Sequence, residues 1–125
     1  MPPSPDGARA WASVAIRTVP EIEVLTVSGC PHRSIALDRV RGALDRVGAS
    51  QVVVTERVID DPAIAVAAGM HGSPTVLIDG LDPFAVAGTE ASVSCRLYRT
   101  HDRVDGAPSV DELVVALFRP ERGAR

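Results

Sequence analysis

The chain has 125 residues and contains neither lysine nor asparagine, so all thirteen of its basic residues are arginine. We read that bias as the coding preference of a GC-rich genome and attach no chemistry to it. Aromatic residues make up 3% of the chain, which excludes an aromatic core and leaves Val, Leu, Ile and Ala to build one. No apolar run approaches the ~20 residues of a membrane helix. The net charge of −3 gives no electrostatic basis for binding nucleic acid or an anionic membrane. Residues 1–7 carry neither the basic nor the apolar region of a secretion signal, so a cytoplasmic location is expected. Cysteine occurs twice, as Cys30 and Cys95, and in a reducing compartment both are expected as free thiols.

What is present suffices for one domain: 46% of the residues are apolar. Residues 1–20 read as a flexible N-terminal tail, with an apolar stretch at 11–16 that fits a short strand or helix equally well. The domain itself spans 21–120, and 121–125 form a polar, flexible C-terminus. The near-continuous apolar run 22–28 predicts a central strand buried on both faces. In 31–47, Ala36, Val40, Ala43, Leu44 and Val47 fall on one stripe of a helix, with Gly48 placed for a left-handed cap. A second strand is expected at 51–56. A helix follows, capped by Asp61, opened by Pro62 and stopped at Gly69. Strands at 75–79 and 93–99 come next. Ser109 and Glu112 form the two ends of a capping box at the start of a last helix. The predicted architecture is α/β, a mixed four-stranded central sheet flanked by helices in the order β-α-β-α-β-β-α.

The chemistry concentrates at Gly29-Cys30-Pro31, where a strand gives way to a helix. Helix N-termini carry partial positive charge and free N–H groups, which stabilise a thiolate. His32 and Arg33 occupy the first helical turn and are candidates to hold negative charge at the sulfur. Downstream, Gly72-Ser73-Pro74-Thr75 sets a proline at the mouth of a strand, 44 residues after Cys30. His71, just before it, is a candidate proton donor. Cys95 alternates with Val93 and Leu97, which predicts a core residue. Strand directions put it at the far end of the sheet, on the order of 15 Å from Cys30, beyond disulfide reach. The two thiols can meet only if 80–94 fold back over the sheet. Three scattered histidines and two distant cysteines lack the spacing of a zinc site, so no metal is expected, and no cofactor.

This order of elements, with Gly29-Cys30-Pro31 and Gly72-Ser73-Pro74-Thr75 in place, resembles the thioredoxin superfamily over about residues 22–118. The resemblance implies a cis Pro74 against Cys30, and a Ser73 whose backbone is left free to pair with an extended thiol substrate. Further likeness is to small actinobacterial thioredoxin-like proteins that often carry an alkylmercury-lyase label. It rests on residues 29–31, 72–80, 95–100 and 106–109. The chain departs from a dithiol oxidoreductase in having Arg33 where a resolving cysteine would stand.

Three functions follow as expectations. The first is chemistry by a single reactive thiol, with Cys30 as nucleophile and Pro31, Arg33, His71, Ser73 and Pro74 around the substrate. The partner would be a small thiol such as glutathione or mycothiol, or a protein thiol or disulfide. The second, implied by the resemblance, is an organomercurial lyase gripping mercury between Cys30 and Cys95, with His32, Asp79 or Asp82 as acid. The third is a non-catalytic module that docks peptides in the Cys30–Pro74 groove.

Overall fold

The computed structural model describes residues 19–100 and 103–118. The readings made for 1–18, for His101 and for 119–125 lie outside the described residues. The elements run β1 (Ile22–Thr26), α1 (Arg33–Arg46), β2 (Val54–Val58), α2 (Pro62–Ala68), β3 (His71–Ser73), β4 (Thr75–Ile78), β5 (Ser92–Cys95), β6 (Tyr98–Arg99), β7 (Val104–Asp105) and α3 (Val110–Leu117).

A mixed sheet of three strands, ordered β2–β1–β4, forms the centre. Strand β1 pairs parallel with β2, from Ile22 opposite Val54 to Thr26 opposite Val58. It pairs antiparallel with β4, from Ile22 opposite Ile78 to Leu25 opposite Thr75. Side chains alternate between the faces of a strand. Ile22, Val24, Val76 and Ile78 accordingly pack with Ala36, Val40, Leu44, Leu113 and Leu117 of α1 and α3. Leu25 and Leu77 pack on the opposite side with Ile59, Ala65 and Met70, under α2. Helices therefore cover both faces, and aliphatic residues fill both layers.

Local signals fix several boundaries. Helix α1 ends as its glycine predicts: Gly48 has φ +78°. The Gly48 N–H donates to the Asp45 carbonyl at 3.1 Å, and the Ala49 N–H to the Leu44 carbonyl at 2.7 Å, the paired bonds of a Schellman close. Asp61 accepts from the Ala63 N–H at 2.8 Å, with Pro62 in the first turn of α2. The Ser109–Glu112 capping box opens α3.

Four expectations are corrected. Helix α1 begins at Arg33, not at residue 31, with His32 at its cap position. Strand β2 begins at Val54, not at 51, because the Val52 N–H closes a turn on the Ala49 carbonyl at 3.0 Å. Val53 is left 78% exposed there, and of the valine run Val52 and Val54 pack against the core in part. The expected strand at 93–99 breaks in two after Cys95: β5 pairs parallel with β3, and β6 forms a short antiparallel hairpin with β7. The central sheet consequently holds three strands among the described residues, where four were expected, since the fourth joins β3 and not β4.

Candidate functional site

The turn carrying Cys30 is tied on three sides. Gly29 takes φ +71°, a conformation that suits glycine. The Cys30 N–H donates to the Val27 carbonyl at 3.2 Å, and the Cys30 carbonyl accepts from the Arg33 N–H at 3.3 Å. The parallel β1–β2 register, carried two residues past Thr26 and Val58, brings Ser28 opposite Asp60. There the Ser28 N–H donates to Asp60 Oδ1 at 2.9 Å and its hydroxyl to Oδ2 at 2.6 Å. The hydroxyl bond first, and the N–H bond second, hold the Asp60 carboxyl below the usual carboxylate value. The third tie is the Val27 N–H, which donates to Ser73 Oγ at 3.0 Å and joins the thiol turn to the proline loop.

The Ser73–Pro74 peptide bond is cis. Thr75 braces the loop from below: its Oγ1 donates to the Gly72 carbonyl at 2.6 Å and accepts from the His71 N–H at 3.1 Å. The buried Tyr98 hydroxyl donates to the Pro74 carbonyl. Burial pushes that phenol up, and the neighbouring Arg96 guanidinium only partly opposes the shift.

Strand β5 lies along this loop. Cys95 stands opposite Ser73 in the parallel register, and the Arg96 N–H donates to the Ser73 carbonyl at 3.0 Å. The approach depends on Gly72, whose φ is +108°. A Cβ there would sit 2.8 Å from Arg96 Cβ and 3.1 Å from the Ser94 carbonyl oxygen. Arg96 then turns inward. Its guanidinium bonds Asp82 at 2.6 Å and the Phe84 carbonyl at 2.9 Å, and stacks 4.4 Å from the Tyr98 ring centre. The side chains of Arg96 and Asp82 are 11% and 4% exposed, so this ion pair is buried.

Several placements expected from the sequence change. Cys95 is exposed, not a core residue, because β5 has one neighbouring strand and only Val93 of the alternating set reaches the core. It lies beside Ser73, not at the far end of the sheet. Residues 80–91 carry the chain back, so that β5 runs parallel to β3. The Ser73 carbonyl is occupied by Arg96, so that atom is not free for a substrate strand. Arg33 is engaged by Glu56 on β2, with Nε to Oε1 at 2.8 Å, which draws its charge toward the sheet edge. His71 Nδ1 lies 3.3 Å from the Glu90 carbonyl. The His32 ring fills the space over Gly106, where a Cβ would come within 2.3 Å of it, and its buried Nδ1 has no hydrogen-bond partner. Pro31 is exposed and Cys30 half-buried, both at the site. Asp79 bonds the Glu21 N–H at 2.9 Å, at the opposite end of the sheet. Asp60, Arg96 and Tyr98 were missed. Only the Asp60-Asp61 doublet carried a hint, since one carboxylate caps α2 and the other is spare.

Among the described residues no helix is long and apolar enough to cross a membrane, and no group of three or more His, Cys, Asp or Glu is gathered for a metal ion. No protein-family model, curated protein or solved structure matches the chain.

Proposed function

We propose that the protein performs thiol chemistry on a thioredoxin-like scaffold, with Cys30 as the nucleophile. The observation that carries this reading is the bond from the Val27 N–H to Ser73 Oγ, which fastens the cysteine turn to a cis-proline loop. Cys30 is half-buried and lies two residues before the cap of α1, and its attacking form is the thiolate. Such a thiolate attacks one sulfur of a disulfide, forms a mixed disulfide at Cys30 and releases the other sulfur as a thiolate. The substrate class is a small-molecule or protein disulfide. Reaction of the reduced chain with hydroxyethyl disulfide tests this: wild type acquires a mixed disulfide at Cys30. Cys30→Ser loses the fast phase. An unchanged rate in Cys30→Ser removes the reading.

The position of Cys95 favours a second reading, an organomercurial lyase in which two thiolates grip mercury and an acid protonates the leaving carbon. Of the acids considered, Asp79 sits at the other end of the sheet and Asp82 is held by Arg96, which leaves His32. Mercuric ion bound far more tightly by wild type than by Cys30→Ser or Cys95→Ser, together with cleavage of a carbon–mercury bond, would select it. The docking-module reading is weakened, since Arg96 already fills the Ser73 carbonyl.

A further inference from the structure

Arg33 stands where a resolving cysteine would follow Cys30 by three residues, so a mixed disulfide there has no partner within the helix turn. The fold supplies a different thiol. Cys95 shares a register position with Ser73, and neighbouring strands lie ~4.8 Å apart. The Ser73 side chain points to the Val27 N–H, at the base of the Cys30 turn. Val93, two residues before Cys95, packs on the same core cluster as Val27. Cys95 thus lies one strand from Ser73, at the same end of the fold as the Cys30 turn, and both thiols are free.

Three features hold Cys95 in that place. Gly72 admits the β5 backbone at a distance no side chain would permit. The Ser73 carbonyl anchors Arg96. The Arg96 guanidinium is locked to Asp82 in a buried ion pair. Of the two tied segments, the one carrying Cys30 has the exposed Gly29 at its bend.

We propose that Cys95 is the resolving thiol for Cys30, a reading that rests on the thiol chemistry proposed above. The co-reactant is a low-molecular-weight disulfide. In the first step the Cys30 thiolate attacks one of its sulfurs; the S–S bond breaks and one thiolate leaves, taking a proton from water. In the second, Cys95 gives up its proton and its thiolate attacks the Cys30 sulfur. The bond to the small thiol breaks, that thiolate leaves and takes up a proton, and a Cys30–Cys95 disulfide forms. The protein dithiol is oxidised by two electrons and the small disulfide is reduced to two thiols.

The test uses the reduced full chain with oxidised glutathione, followed by intact mass and non-reducing peptide mapping of wild type, Cys95→Ser and Cys30→Ser. Cys95 is exposed, so Cys95→Ser leaves the core untouched, and far-UV circular dichroism checks the fold. Wild type is expected to pass through a short-lived glutathione adduct to a species lighter by two hydrogens, with a peptide linking Cys30 to Cys95. Cys95→Ser is expected to stop at the Cys30 adduct, which persists at least tenfold longer. An adduct at Cys30 that persists equally in wild type and Cys95→Ser overturns the resolving role and leaves the thiol reading standing. Cross-linking of Cys95 between two chains overturns it as well. If Cys95→Ser takes up no glutathione at Cys30, the underlying thiol reading falls, and this inference with it.

Discussion

The Arg96 N–H donates to the Ser73 carbonyl at 3.0 Å, so the chain's own strand occupies the backbone position beside the cis-proline. That one bond changes how the site is read. A groove expected to be open to a substrate strand is lined by β5, and the residue presented there, one before Arg96, is a cysteine.

Arg96 is the anchor of this arrangement, and removing it should be costly. Arg96→Ala leaves the Asp82 carboxylate buried without its partner and strips the Tyr98 ring of its stacked cation. We expect a loss of about 3–5 kcal/mol, the range for breaking a buried pair from one side. Urea unfolding monitored by circular dichroism checks it. A loss below about 1 kcal/mol would show the pair to be no anchor.

The sequence made the layers legible and left the site half hidden, for physical reasons. Signals confined to a few neighbouring residues carried through: the stripe of α1, Gly48, the Asp61-Pro62 start of α2 and the Ser109 capping box all act within one or two helical turns. The pairing of β5 with β3 depends instead on Gly72 standing at φ +108° and on the return path of residues 80–91, which no local pattern encodes. The alternation of Val93, Cys95 and Leu97 predicted burial because a strand inside a sheet buries one whole face. With β3 as its neighbour and a break after Cys95, β5 buries only Val93 of the three even in part, and Leu97 is 65% exposed. No local pattern marks Arg96, whose burial depends on Asp82 being folded against it.

His32 and Gly106 should be energetically coupled. Gly106 has an ordinary backbone conformation, and the obstacle to a side chain there is the imidazole ring, 2.3 Å from where a Cβ would lie. Gly106→Ala is expected to destabilise by about 1–3 kcal/mol, and most of that loss should vanish in a His32→Ala background. Denaturant midpoints of the two single variants and the double variant measure the coupling. Additive effects would mean that the ring does not fill that space.

Acid should weaken the fold through two carboxylates. Asp60 is held below its usual value by the Ser28 hydroxyl and N–H, and Asp105 by the Gly106 N–H first and Arg39 second. A carboxyl depressed on folding adds stability above its unfolded value of about 3.9, and that stability is lost as pH falls through the lower folded value. Stability should therefore decline as pH drops below about 4, and Asp60→Asn should flatten part of the decline. Unfolding midpoints between pH 6 and pH 2.5 give the profile. An identical slope in Asp60→Asn would show that the Ser28 bonds do not persist in solution.

The most direct measurement is competitive alkylation of the native, reduced chain by a limiting amount of iodoacetamide at neutral pH, with the labelled peptides quantified. Exposure alone favours Cys95, which is the more accessible of the two thiols. The nucleophilic role proposed for Cys30 favours that thiol instead. The account predicts that Cys30 is labelled several-fold faster despite being half-buried, and that the preference disappears in denaturant. Faster labelling of Cys95, or equal rates in the native and unfolded chain, would contradict it.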